Sequence, residues 1–202
     1  MALRVYRIPF STNVERVALA AGHKGLEVEW IDVDPLDRSV LEHVSGPSLV
    51  DGDAVVTDSP AIIALLEQRH PEPPLYPADE ARRTEVELFV DWFNQLWKQP
   101  PNLIADELAK PEPNAALIAE WSAHMATALD RFESLLAGRD YLFGEFGVAD
   151  CIAFPFLKYA VFGLPEGDEE LFHRVLVEHM PLGGRYPRLQ AWARRVDGQP
   201  RA

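Results

Sequence analysis

The chain holds one cysteine, Cys151, in 202 residues. A single thiol excludes an internal disulfide, a Cys-x-x-Cys redox pair and a zinc site built on thiolates. The six histidines show no metal-ligand spacing with one another; His173 and His179 lie six apart, which is not one helix face, so no metal is expected. Positive charge is scarce too. Lys and Arg number 19 against 32 Asp and Glu, a net charge of −13. Residues 1–78 carry 6 basic and 12 acidic side chains and the remainder 13 and 20, so the charge is spread and is not an acidic tail. With no basic patch to neutralise phosphates, nucleic acid is not an expected partner. No apolar run reaches the roughly 18 residues of a membrane span. The opening Met1-Ala2-Leu3-Arg4-Val5-Tyr6-Arg7 lacks a long apolar signal core. A cytoplasmic protein away from membranes is expected. Repeats and low-complexity segments are also missing.

What is present is 48% hydrophobic and 10% aromatic residues, enough for a substantial core. Residues 2–8 read as a strand, and Pro9-Phe10-Ser11-Thr12-Asn13 as a turn rich in capping residues. Val14, Val17, Ala18 and Ala21 follow at helical spacing, ended by Gly22 or Gly25, and Val28–Val33 forms a second strand. A unit this short is a βαβ whose strands run parallel. One helical turn is expected near Ser39–Val44. Ser48-Leu49-Val50, a turn at Asp51-Gly52-Asp53 and Ala54-Val55-Val56 make a hairpin.

The chain then turns on Val56-Thr57-Asp58-Ser59-Pro60, followed by apolar residues at 62, 63, 65 and 66. Ser59 suits a helix N-cap and Pro60 the first helical position, where no N–H is needed. Such an end carries free N–H groups and a partial positive charge, and so can receive a carboxylate. An ordinary capped helix explains the same residues; this stretch alone leaves both readings open.

Residues 70–77, with four prolines in eight, read as a stiff extended linker and domain boundary. Helices follow at 79–98, 114–137, 148–162, 168–179 and 186–196. The first shows an apolar stripe (Val86, Val90, Phe93, Trp97) widened by Leu88, Phe89, Trp92 and Leu96. That surplus predicts burial on two sides, by its own domain and by a partner subunit or ligand. The helix at 148–162 is apolar almost all round and should be central, with Pro155 kinking it or disturbing its first turns.

Four local patterns in order carry a resemblance. They are Ile8–Val17, Gly46-Pro47-Ser48-Leu49-Val50-Asp51-Gly52, Asp58-Ser59 and Gly147-Val148-Ala149-Asp150. The chain resembles, over essentially its whole length, the cytosolic glutathione transferase family, in a serine-type class. The resemblance implies an α/β domain followed by an all-α domain. The N-terminal domain, 1–76, would be thioredoxin-like, a mixed four-stranded sheet with helices; the C-terminal domain, 77–202, would be all-helical. It implies glutathione as co-substrate, no metal, a homodimer and a small apolar electrophile as the other substrate, in a detoxifying conjugation.

The residues it implies are these. Ser11, with Thr12 and Asn13 as alternates, would donate a hydrogen bond to the glutathione sulfur and favour its thiolate; Ser11 read by itself is equally a simple N-cap. Pro47, cis in the family, would present the backbone of Gly46 and Ser48 to the cysteinyl part. Asp58 and Ser59 would hold the amino and carboxylate ends of the γ-glutamyl part. Phe10, Phe93 and Trp97 would line the electrophile pocket. Asp150 would cap a buried helix. The redox branches place a cysteine where this chain has Ile8, which argues against disulfide exchange, and Cys151 reads as a small core residue. The segment between Val33 and Pro47 is several residues shorter than usual, without the lysine or glutamine that meets the glycyl carboxylate. Glutathione binding is expected to be weaker for it, by on the order of a kcal/mol or more. Gly147 stands where the family has Ser or Thr. Two other functions fit the same resemblance: a non-catalytic binding protein, and a glutathione-dependent isomerase or dehalogenase.

Overall fold

In the computed structural model of the chain, residues 3–34, 46–51 and 54–202 are described. The helical turn expected near Ser39–Val44 and the turn tip Gly52-Asp53 fall outside them. Residues 1–78 together with 198–202 form one unit and residues 79–197 a second. The first boundary is thus Ala78/Asp79, two residues past the expected one, and the last five residues return to the first unit.

The first unit runs β1 (Leu3–Arg7), α1 (Thr12–His23), β2 (Val28–Asp32), β3 (Ser48–Asp51), β4 (Ala54–Thr57) and α2 (Ser59–Arg69). The sheet order is β2-β1-β3-β4. β1 and β2 pair in parallel, Val5 opposite Trp30, as a compact βαβ requires. β3 is antiparallel to both β1 and β4. Val5 and Leu49 from the sheet meet Val17 and Ala21 of α1 and Ile62 and Leu66 of α2 in one apolar core.

Two devices hold this unit together. Lys24, its ammonium enclosed, reaches Glu67 at 2.6 Å and donates to the carbonyls of His70 at 2.6 Å and Pro73 at 3.0 Å. Glu67 in turn accepts from the Leu75 amide at 3.1 Å. The expected stiff segment is therefore tied to α1 and α2 by a paired buried charge. Its cis peptide bond is Glu72–Pro73. The second device is the chain's last residues. Ala202 donates its amide to the Ala18 carbonyl at 3.1 Å and accepts the Trp30 indole N–H at 2.9 Å. Arg201 pairs with Glu15 at 3.1 Å. Gly22 makes this possible: a Cβ there would stand 2.3 Å from the Pro200 carbonyl oxygen.

The second unit is helical: α3 (Glu80–Trp92), a π-helical turn (Phe93–Trp97), α4 (Gln99–Leu108), α5 (Ala115–Leu135), α6 (Val148–Phe162), α7 (Leu171–Glu178) and α8 (Pro187–Asp197). The long helix expected at 79–98 is α3 with its π-helical extension. α4 is an addition to the expected helices. Pro100 and Pro101 fall in its first turn, where missing N–H groups cost nothing. α6 is the buried centre, continuous through Pro155. Asp150 secures its start, accepting from Gly147 N at 3.0 Å, Leu142 N at 3.1 Å and the Trp192 indole at 2.7 Å. Gly147, lacking a side chain, is capped only through its own backbone. Burial pushes the Asp150 carboxyl up to about 6, the three donors working against that rise. Cys151 beside it is fully buried, as expected of a core residue.

Candidate functional site

The pairing register brings three of the expected segments to one end of the sheet. Tyr6 lies opposite Ser48, and Ser48 opposite Thr57. The residues that leave β1, enter β3 and leave β4 are therefore neighbours: Ile8–Ser11, Gly46–Pro47 and Asp58–Ser59. At one strand spacing per step, β1 and β4 stand about 10 Å apart there, with β3 between them. An extended peptide of two or three residues spans that width.

β1 and β4 each lead into a residue of positive φ followed by a serine at a helix start. Phe10 has φ 64° and is 64% exposed. Ser11 follows as N-cap of α1, its carbonyl accepting from Val14 and Glu15 at 3.0 and 3.2 Å. Its hydroxyl makes no capping bond. The simple N-cap reading of this side chain therefore fails, and the hydroxyl is left beside the positive end of α1. Of the alternates, Thr12 is buried in the first turn and Asn13 lies one residue further along the helix.

Asp58 has φ 75° and ψ 126°, and its carboxylate is exposed. The helix starts one residue earlier than expected. The Asp58 carbonyl accepts from Ile62 N at 3.0 Å, so Asp58 is the N-cap, Ser59 the first helical residue and Pro60 the second. Ser59 is 1% exposed. Its Oγ lies 3.4 Å from Nη1 of Arg16, a wholly buried residue in the middle of α1. The one signal for Arg16 in the sequence is a charge inside the apolar run Val14–Ala21.

Between them, Gly46 turns the chain with φ 70°, and Pro47 is buried. The cis bond of the described residues lies at Glu72–Pro73 and not at Gly46–Pro47. Ser48 is fully buried, and its Oγ has no hydrogen-bond partner among the described residues.

Of the residues expected to line the apolar pocket, Phe93 is excluded by its burial. Phe93 is entirely enclosed in the second unit, stacked on Trp97 at 4.4 Å and edge-on to Phe132 and Phe156 at 6.3 and 5.5 Å. It has no surface to offer a ligand and serves as core. Trp97 lines a cavity of about 340 Å³ with Trp92, Met125 and Arg131. Phe10 belongs to the first unit. Among the described residues no group of His, Cys, Asp or Glu is arranged to hold a metal ion, and no helix is long and apolar enough to cross a membrane.

The chain is similar in sequence and fold to known proteins. Residues 5–74 match the family "Glutathione S-transferase, N-terminal domain" and residues 115–195 "Glutathione S-transferase, C-terminal domain". Glutathione S-transferase 3 of Zea mays is 33% identical over 164 residues, 73% of each chain. Among solved structures, glutathione S-transferase III in its apo form is 27% identical with a TM-score of 0.72, covering 99% of this chain and 93% of that one. The theta-class glutathione S-transferase of Xanthomonas axonopodis pv. citri, solved with glutathione bound, is 26% identical with a TM-score of 0.69, covering 98% and 92%. A four-stranded mixed sheet carrying an Asp-Ser helix start, joined by a proline-rich segment to a helical unit, has the sequence and the fold of one family: the chain belongs to the glutathione S-transferases.

Proposed function

We propose that the protein conjugates glutathione to a small apolar electrophile, with Ser11 as the hydroxyl that stabilises the thiolate. The observation that carries this is the Ser11 side chain, uncapped at the N-terminus of α1 and at the sheet end that also holds Gly46–Ser48 and Asp58–Ser59. Glutathione would lie across that end. Its γ-glutamyl ammonium would meet the Asp58 carboxylate and its α-carboxylate Ser59. The backbone at Gly46–Ser48 would pair with the cysteinyl residue, as an added strand pairs.

With the thiol held beside Ser11, the hydroxyl donates to sulfur and the α1 terminus adds positive potential; both favour the thiolate. The thiolate then attacks an electrophilic carbon, a carbon–sulfur bond forms and the leaving group departs with its electron pair. Proximity and thiolate stabilisation supply the acceleration. The exposed ring of Phe10, next to Ser11, offers apolar surface to the electrophile. No metal enters this chemistry. The reading implies a cytoplasmic homodimer.

Calorimetric titration with glutathione, followed by turnover of an activated aryl halide by the wild type and Ser11→Ala, tests it. Loss of a hydrogen bond to a charged sulfur should lower kcat/KM about ten- to hundred-fold and shift its pH profile upward. Unchanged turnover in Ser11→Ala removes Ser11 from this role. Absence of glutathione binding by the folded wild type would replace the transferase reading with a binding role on the same fold, which the shortened segment before Pro47 favours.

A further inference from the structure

We propose that Arg201 is a positioning residue of the thiol site: by pairing with Glu15 it offsets a carboxylate in the first turn of α1 that would otherwise oppose the thiolate beside Ser11. The proposal rests on the glutathione reading above. Glu15 stands in the turn that Ser11 opens, and its amide donates to the Ser11 carbonyl at 3.2 Å. A negative charge there suits the helix, but it also weakens the positive potential that the helix end offers a bound anion. The Glu15 side chain is 16% exposed, so water and salt screen it poorly.

The returning tail brings a cation to this carboxylate and holds it there. Nε and Nη2 of Arg201 both donate to Glu15 Oε1, at 3.3 and 3.1 Å, and Nη1 donates to the Gln199 carbonyl at 3.1 Å. The backbone on either side is fixed: Pro200 stands against Gly22, and Ala202 is bonded to Ala18 and to the Trp30 indole. Glu15, Ala18 and Gly22 are three and four residues apart, so the three contacts follow one face of α1. A hydrogen bond from a neutral group leaves the charge of a carboxylate in place; a guanidinium offsets it. The other charges described at this end of the sheet are Arg16, one residue on in α1, Asp58 at the start of α2, the Arg7–Asp32 pair where β1 and β2 end, and Asp34 just beyond. His23 and Lys24 lie at the far end of α1, about 16 Å along its axis. All of these stay as they are when Arg201 is replaced.

The test follows the thiolate absorbance of glutathione bound to the full-length protein as pH is raised, together with the pH profile of kcat/KM for an activated aryl halide. Residue 15 is one helical turn from Ser11, which puts its charge on the order of 6–8 Å from the sulfur. At that distance a charge no longer offset moves a thiol midpoint by about half a unit or more. Arg201→Ala should raise both midpoints by that amount and lower kcat/KM about three-fold on the acid side. Glu15→Gln combined with Arg201→Ala carries neither charge and should return both midpoints to the wild-type value or below it. Arg201→Lys keeps the cation and should hold most of the wild-type midpoint. Arg201→Ala with unmoved midpoints, whatever its stability, overturns the proposal and leaves the tail a packing element. So does a double variant that stays as high as Arg201→Ala, or an Arg201→Lys that rises as far, because either result makes the loss structural. Should Arg201→Ala not fold, Arg201→Gln takes its place with the same expected rise. A folded wild type that binds no glutathione, or leaves its thiol as in free solution, overturns the transferase reading and this role with it. A wild type that lowers the midpoint of the bound thiol, with Arg201 variants that keep it there, overturns the Arg201 role alone.

Discussion

Phe10 and Asp58 share a positive φ, 64° and 75°, and each immediately precedes a serine at the start of a helix. Neither residue adopts such a backbone without cost, and strain of this kind is on the order of 1–3 kcal/mol where it persists. Both positions lie at the sheet end that holds the candidate site. Replacing either by glycine should relieve the strain. Phe10→Gly and Asp58→Gly should each stabilise the protein by about 1 kcal/mol, read as a higher urea midpoint at unchanged slope. Asp58→Gly should at the same time weaken glutathione binding, because it removes the carboxylate opposite the ammonium. A glycine at 58 that leaves the midpoint where it was would mean the backbone there is not strained.

The Lys24–Glu67 pair makes a second prediction. The ammonium is enclosed and satisfies three acceptors from α2 and the segment after it. Lys24→Met should cost about 3 kcal/mol, since it leaves Glu67 as an uncompensated charge and bares the His70 and Pro73 carbonyls. Glu67→Leu added to Lys24→Met should recover part of the loss. Urea unfolding of the two single variants and the double variant measures this coupling, and purely additive losses would show that the two side chains act separately.

Association of two copies is argued from α3 and its π-helical extension. Val86, Phe89, Val90, Phe93 and Trp97 are buried within the unit, while Leu88 and Leu96 on the same stretch are 63% and 59% exposed. Beside Leu88, a groove of about 770 Å³ runs between Phe89 and Trp92 on one side and Thr127, Arg131 and Leu135 on the other. An apolar face of this kind fits a second copy of the chain. Sedimentation should find a dimer at micromolar concentration, and Leu88→Glu with Leu96→Glu should convert it to monomer. A wild type that sediments as a monomer removes the homodimer.

Local spacing is enough to read the βαβ unit, the β3–β4 hairpin and most of the helices, because their patterns lie within a dozen residues of one another. Three features escape it. Pro100 and Pro101 follow the helix expected at 79–98 and begin α4, since a first helical turn needs no N–H from them. Phe93 looks like a pocket residue, but Phe132 and Phe156, which enclose it, come from far along the chain. Arg16 is illegible because a charge in an amphipathic helix ordinarily marks the wet face, and only the arrival of Ser59 shows otherwise. Ser11, Asp58 and Ser59 are legible as helix-start residues, because their types suit a cap or a first turn.

The last prediction concerns pH and Asp150. Its carboxyl is raised from 3.8 to about 6 in the folded protein, burial outweighing the Trp192, Leu142 and Gly147 donors. The folded state thus holds this proton more tightly than the unfolded one. The group's contribution to stability is fully present below about pH 4 and is lost as pH climbs through about 6. At roughly 1.4 kcal/mol per unit, the change amounts to about 3 kcal/mol. Other carboxylates titrate in the same range, so the wild type is compared with Asp150→Asn. The amide keeps an acceptor for the Trp192 indole and loses the one for Gly147 N, making the variant less stable at every pH. Because the amide does not titrate, the wild-type advantage should be largest near pH 4 and shrink by about 3 kcal/mol by pH 7. Urea unfolding of both proteins across that interval reads the difference directly. An advantage that stays constant, or grows with pH, would mean that the three donors hold Asp150 ionised and that burial does not control it.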